Sequence, residues 1–593
     1  MANFYSDNPD IRFCIDALDM DGVALLREGD FAEAAQYEHA PRNTAEAKEQ
    51  YEEILELAGD ITANFVAPRA KQVDLEGNQY RDGEVILHPH IRASIERFAE
   101  ADLMGLSLPR QYGGLNLPQA VKTAVIEMVA RADAALMNIV GLQDIAETIE
   151  EFGDEALKCE TLPQLCSGAH TAAMVLTEPD AGSDLQSVRL RAEPVDEALG
   201  LWRLSGTKRF ITNGCGDILL VLSRSEPKTA GARGLSVFLV KKGQGVRIRR
   251  IEEKLGIHGS PTCEIQFNEA PGRLVGQRKR GLTEVGMAIM NGARVAIAAQ
   301  ALGIAEAAAR TATSYAKARV QFGRAISEIP AVYEMLAQMR IRIEAARALT
   351  YHTADVVERL KWQERHAASV GQAVSLPASS QARQPAPQRA SREELKRLTR
   401  LAAVLTPLAK LYATEMANGV ASDAVQVLGG SGYMKDYPVE RHFRDARITN
   451  IYEGTTQLQV VGAIGGIRTG VLRAHIDTLL AQASVGRVAN SPHSGLAGKV
   501  AALLPEMDKA LAAADSHEKD ADFNDLYARW LVNIGLDILL AALLVLQAAT
   551  GNERKRILAE AFLSEAQHRV RAAAEHVQAG SSVLITGHRA IIG

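Results

Sequence analysis

Cysteine is scarce in this chain. Its 593 residues hold five, Cys14, Cys159, Cys166, Cys215 and Cys263, far apart and with no C-x-x-C pair. That excludes a disulfide framework and a zinc ribbon, and it favours a reducing compartment. The 14 histidines form no H-E-x-x-H, so no metal site is expected. No strand–G-x-G-x-x-G–helix fingerprint occurs, which leaves a Rossmann nucleotide site unsupported. The opening MANFYSDNPDIRFCID lacks a basic stretch followed by an apolar run, and it is not Arg-rich and acid-poor; a cytoplasmic protein is expected. Excess positive charge is missing too. A net charge of −6 gives no basis for a nucleic-acid-binding surface or a polybasic anchor. One long apolar run, WLVNIGLDILLAALLVLQAA at 530–549, approaches the ~20 residues that span a bilayer. Asn533, Asp537 and Gln547 interrupt it, so a buried helix is expected and no integral membrane segment.

What is present is ordinary globular composition, 47% hydrophobic and 23% charged, at a length that allows roughly 3 to 5 domains. Residues 1–40 read as an N-terminal arm. From 41 to 170 the pattern is helical: Tyr51, Ile54, Leu55, Ala58, Ile61 and Phe65 recur at helical spacing, Asn43 can cap, and Pro68 should stop the run. From 171 to 277 the signals become short and β-like, with turn clusters such as SGTK and TNGCGD between them, as in an antiparallel barrel or sandwich. Residues 278–480 read as a bundle of long helices. Within it 369–390, rich in Ser, Pro, Gln and Ala, reads as a flexible insertion. Ser391 and Glu394 read as a capping box, and Pro407 as the start of a further helix. A polar break near NSPHSG, 490–495, precedes an additional helical domain, 485–593. The fold class is α+β, mostly α.

Four motifs carry chemistry. MVLTEPDAGSDLQSV, 174–188, offers backbone amides and hydroxyls in a turn that a flat, polar-edged ligand could approach closely, although Pro179, Asp180 and Gly182 alone would make an ordinary turn. RFITNG, 209–214, reads as a strand ending in a turn. ARVQFGRAI, 318–326, places Arg319 and Phe322 on a helix before Gly323, and such an arginine is usually a solvated charge. QVLGGSGYMKDYPVERHFRDARITNIYEGTTQLQ, 426–459, joins a glycine cluster to an isolated glutamate, Glu453, between apolar neighbours. A carboxylate there is costly to desolvate unless it is paired or has a task.

In this order the motifs resemble the acyl-CoA dehydrogenase family over roughly residues 40–470, and the extra C-terminal segment resembles that of its longer bacterial members. The resemblance implies an N-terminal helical domain, a central antiparallel β domain and a C-terminal helical bundle. It implies FAD as cofactor and Glu453 as the general base that takes the α-proton of an acyl-CoA thioester. A hydride then passes from Cβ to flavin N5, leaving a trans-2-enoyl-CoA. The N–H of Glu453 would donate to the thioester oxygen, and Gly454 would give the substrate room. By the same resemblance Met174, Leu176, Thr177 and Ser183 line flavin and substrate, and Phe210, Ile211 and Thr212 back the flavin. Arg319, Gln321, Phe322, Gln426, Gly429 and Gly430 hold the FAD of a neighbouring subunit, and Thr455 and Gln457 the FAD beside Glu453. Asn291 and Arg294 meet the substrate, Asn291 where several relatives have aspartate; an internal salt bridge is the competing reading of Arg294. Some relatives place the base just before this arginine, where Ala293 stands here. Ile329-Pro330 replaces a Phe-Gln pair whose glutamine helps hold the neighbour's FAD, so that contact is expected to be lost. The implied partners are an acyl-CoA, electron-transfer flavoprotein and a second copy in a homodimer, with a homotetramer as the alternative. An oxidase using oxygen and a non-catalytic scaffold of the same fold remain open. Residues 140–153 are expected to border the acyl cavity, where Gln143 and Asp144 could favour a polar or branched group.

Overall fold

The structure is a computed structural model that describes residues 2–373, 392–485 and 494–593. Its helices and sheet follow the order expected: helical domain, β domain, helical bundle, C-terminal helices.

In the first domain α1 (Thr44–Asp60) starts where Asn43 accepts from the Glu46 N–H at 3.0 Å. Pro68 does not stop the run. It sits in a tight turn, Ala67–Arg69, that leads straight into a further helix, Ala70–Glu76, since a proline at the first turn of a helix gives up no ladder bond. The N-terminal arm is itself helical, Pro9–Asp16 and Met20–Glu28, and buries Tyr5, Ile11 and Cys14. A small hairpin, Gln79–Arg81 with Glu84–Ile86, was not foreseen within the helical region. Next come α2 (Gln119–Ala132), α3 (Ala134–Gly141) and α4 (Ile145–Phe152).

The β domain contains β1 (Ala172–Val175), β2 (Arg191–Asp196), β3 (Leu201–Thr212), β4 (Ile218–Arg224), β5 (Leu235–Lys241), β6 (Val246–Ile251) and β7 (Thr262–Val275). Antiparallel pairs join β2 to β3, β3 to β7, β7 to β5 and β5 to β4, and β6 adds to β7. Two pairings correct a purely antiparallel expectation: β1 and the start of β2 both run parallel to the same side of β4. The β2–β4 contact closes the ring into a barrel. Leu219 and Val221 face its interior with Trp202, Phe238 and Phe267. Ile218, Leu220 and Leu222 pack outward against Ile145, Ile149 and Leu165. Both faces of β4 are covered, which is why its sequence is continuously apolar instead of alternating.

The bundle is built from α5 (Met287–Ala318), α6 (Pro330–Ala373), α7 (Arg392–Leu428), α8 (Val439–Thr449) and α9 (Thr456–Arg468). Helix α6 runs into the first residues of the predicted insertion, to Ala373; the rest of that insertion, Ser391 of the capping box and most of the 490–495 break lie outside the described residues. Pro407 lies inside α7, not at its start. It costs one ladder bond, but Leu405, Leu408 and Pro407 itself are buried in the bundle, and that packing keeps the helix continuous.

The C-terminal segment adds α10 (Ala521–Ala548) and α11 (Glu553–Ala579) and shares one hydrophobic core with the bundle. Helix α10 holds the apolar run and, like the stretch Gly281–Ala318, is long and apolar enough to cross a bilayer, yet its most apolar window is mostly buried in the protein. Its Asp537 pairs with Arg569 at 2.7 Å. At Gly535 a Cβ would come within 2.8 Å of Leu472, so glycine there lets α10 lie close on the bundle.

Charge crosses this core. Arg347, fully buried on α6, pairs with Glu127 (2.8 Å), Glu306 (2.9 Å) and Glu344 (2.8 Å). Lys555 of α11 pairs with Glu344 at 2.7 Å and with Asp10 of the N-terminal arm at 3.0 Å.

Candidate active site

Glu453 sits in the loop between α8 and α9, and its backbone is in the left-handed region, φ 53°, followed by Gly454 at 88°. A non-glycine residue there costs on the order of 1 kcal/mol and persists only when the surroundings impose it. Here they do. The fully buried Lys410 of α7 donates to the carbonyl oxygens of Thr449 (3.1 Å) and Gly454 (2.7 Å). The Gln459 side-chain amide donates to those of Glu453 (3.2 Å) and Gly454 (2.8 Å). A Cβ on residue 454 would stand 2.7 Å from that amide nitrogen and displace it, so glycine suits both conformation and space. On the other side Tyr452 donates to Gln300 and reaches Asn138 at 3.2 Å, and Gln300 donates to Asn138 at 2.8 Å.

The carboxylate of Glu453 forms a wall of a cavity of about 380 Å³, shared with Met174, Thr212, Asn291, Ala293 and Tyr452. Burial raises its pKa to about 7, against the lowering influence of Lys410 and Arg294. Neither cation comes within ion-pair distance; Arg294 instead donates to Asn291 at 2.9 Å, which removes the salt-bridge reading. Burial lowers the Lys410 ammonium to about 8, with Glu453 opposing. Among the described residues the Glu453 N–H donates to no protein group and is free for a ligand.

The other predicted residues divide into three sets. Leu176 and Thr177 follow β1; their carbonyl oxygens accept from Lys208 (2.6 Å) and from the Arg209 N–H (3.1 Å). Ile211 points into the barrel core, so only its backbone can face a ligand. Phe210, at φ 61°, is half exposed with the Arg209 guanidinium over its ring, and Ser183 is exposed in the turn after Glu178.

A second set lies elsewhere on the chain. Arg319 caps α5 and is not on the helix; Val320–Gln321 and Arg324–Ala325 form a hairpin whose tip, Phe322 (φ 53°) and Gly323 (φ 78°), needs the left-handed region at both positions. This hairpin is roughly 37 Å along α5 from Arg294. Gln426, Gly429 and Gly430 are exposed near it, where Tyr315 approaches Ser431 at 3.4 Å.

The third set stands at the start of α9: Thr455 is its cap residue, and Gln457 borders Asp525, Arg529 and Trp530 of α10. Sequence reasoning missed Lys410, Gln459 and Gln300. Lys410 alone gave a signal, a single lysine in the apolar stretch PLAKLYA.

An exposed aromatic, the hydroxyls of Thr177 and Thr212, and the open turn at Gly182, where a Cβ would meet nothing, form a wall that suits a flat, polar-edged ring system beside the cavity.

Comparison with known proteins gives the family. Family models of the acyl-CoA dehydrogenase N-terminal, middle and C-terminal domains match residues 48–169, 173–270 and 295–457. The chain belongs to the acyl-CoA dehydrogenase family and is an oxidoreductase. It is similar to an acyl-CoA dehydrogenase of Bacillus subtilis, 38% identical over 62% of this chain and 86% of the relative. It is also similar to 3-methylmercaptopropionyl-CoA dehydrogenase of Ruegeria pomeroyi, 33% identical over 80% of this chain and 81% of the relative. A solved acyl-CoA dehydrogenase from Bacillus anthracis, complexed with FAD, shares the fold at a TM-score of 0.70 and 24% identity, covering 89% of this chain and 88% of that one. That coverage extends past the region the family models match. The family points to FAD, and the wall beside Glu453 fits it.

Proposed function

We propose that this chain dehydrogenates an acyl-CoA thioester between Cα and Cβ, with Glu453 as the base, and passes the electrons to electron-transfer flavoprotein. The observation that carries the reading is Glu453 itself: a carboxylate with no ion pair among the described residues, pushed to about 7 by burial, held in a strained loop on the wall of the cavity. A base for the α-proton of a thioester needs such a raised pKa. Lys410 and Arg294 keep enough of it ionised near neutral pH, and taking up the proton relieves the desolvated charge. The free Glu453 N–H lies on the same residue as the base, so one loop both removes the proton and donates to the thioester oxygen as charge develops there. Asn291 and Arg294 position the thioester from α5. Bound FAD supplies the acceptor for the hydride that leaves Cβ; Met174, Thr177 and Thr212 would hold its ring, with Phe210 behind it.

The exposed end formed by Arg319, Gln321, Phe322, Gln426, Gly429 and Gly430 serves the FAD site of a second copy, and the protein works as a homodimer. Support comes from its distance from Glu453 in the same chain and from Phe322, 94% exposed on its own.

Anaerobic titration of the flavin-loaded protein with a panel of acyl-CoAs tests the reading. Loss of oxidised-flavin absorbance in wild type and not in Glu453→Gln is expected. Retained flavin in both proteins against every thioester would overturn it.

A further inference from the structure

The cavity has a second, polar stretch beyond the reaction site. Its wall follows α3 and α4 away from Asn138, the residue that touches Tyr452. At 1.5 Å of rise per residue Asp144 is roughly 9 Å along this wall and Glu151 roughly 20 Å. Thr148, Lys361, Glu364 and Thr399 line the same stretch. A hydrocarbon tail laid there would strip water from charged groups without replacing it.

The hydrogen-bond inventory decides which kind of tail fits. The ammonium groups are already paired: Lys122 donates to Asp144 and Glu147, both at 2.6 Å, and Lys361 to Glu147. Glu147 is saturated, because Ser107 and Gln119 also donate to it. Asp144 receives Lys122 on one oxygen only. Glu151 and Glu364 form no ion pair among the described residues, and both stand where the cavity meets solvent. Four carboxylates, Asp144, Glu147, Glu151 and Glu364, thus meet two ammonium groups, Lys122 and Lys361, and negative charge is left over along this stretch.

Resting on the dehydrogenase reading above, we infer that the acyl group this enzyme takes carries a hydrogen-bond donor, an ammonium best of all, at the end away from the thioester, and that Asp144 and Glu151 select for it. Allowing roughly 3 Å for the hydrogen bond itself, a tail of about four atoms beyond Cβ covers the rest of the roughly 9 Å to the Asp144 level.

The test compares 6-aminohexanoyl-CoA with heptanoyl-CoA, which differ in an ammonium against a methyl at the tip, and includes butyryl-CoA, too short to reach Asp144. In the FAD-loaded wild type, kcat/KM for the amino compound is expected to exceed that for heptanoyl-CoA by about tenfold or more, as for a hydrogen bond to a charged group. In Asp144→Asn/Glu151→Gln the ratio is expected to fall to about one. Equal or better turnover of heptanoyl-CoA by wild type overturns the inference, and wild type alone decides that even if the variant does not fold. So does a preference that survives both substitutions. Turnover of butyryl-CoA in either case leaves the dehydrogenase reading standing. Failure of all three thioesters to reduce the flavin overturns both.

Discussion

Two regions of this molecule bury charge, and they do so to opposite ends. Around Arg347 each carboxylate has a cation in contact: burial pushes the Glu306 carboxyl up, but Arg340 and Arg347 outweigh it and hold it well below its usual range. Around Glu453 the cations stand off, burial prevails, and the carboxyl rises to about 7. Glu306 stays ionised and inert while Glu453 is made basic, because of a contact made in one case and withheld in the other. Lys410 makes the point again. It spends its hydrogen bonds on backbone carbonyls, so it shapes the loop while leaving the neighbouring carboxylate unpaired.

The comparison can be broken at several points. The largest effect should come from Glu453→Gln, which keeps shape and removes basicity; flavin reduction by a good thioester should slow about 10²–10⁴-fold, measured by stopped flow. A loss under tenfold would mean that Glu453 is not the base. Next is Arg347→Met. Leaving Glu127, Glu306 and Glu344 without their shared cation should cost about 3–5 kcal/mol, seen in thermal or denaturant unfolding. A much smaller loss would show that the buried network is not a unit. Lys410→Met should weaken turnover by roughly ten- to a hundredfold, because the carbonyls of Thr449 and Gly454 lose a donor worth about 1–3 kcal/mol.

A pH profile sharpens the contrast without a large loss of rate. Glu453 works when ionised, so kcat/KM should rise with pH through about 7 and level off above it. Lys410 lowers the pKa of Glu453, so removing its charge should move this limb to higher pH; a limb that stays put would separate Lys410 from the base. Smallest should be Gly454→Ala, a strain of about 1 kcal/mol at a φ of 88°, read as a roughly fivefold fall in rate with flavin content unchanged.

Much of this was legible beforehand, and the parts that were not share a cause. The β strands stood out because their apolar runs are short and bounded by turn residues, and the IYEGT loop because an isolated glutamate among apolar neighbours is rare. Pro407 misled because a proline reads locally as a boundary, whereas burial of α7 against its neighbours overrides it. Arg319 and Phe322 were read as helical because ARVQFGRAI continues an Ala-rich helix; the positive φ at Phe322-Gly323 is a tertiary choice. Gln459 escaped because its role is to hold backbone carbonyls, and no pattern of residue types encodes that; Lys410 left only the sign of one lysine in an apolar stretch.

The ion pair between Asp10 and Lys555 spans 545 positions of the chain. During synthesis the N-terminal arm emerges from the ribosome nearly a whole protein ahead of the lysine that neutralises it. Until α11 arrives, Asp10 has neither Arg554 nor Lys555 to meet, whereas Glu344 already has Arg347. Docking of the N-terminal arm is thereby coupled to docking of α11.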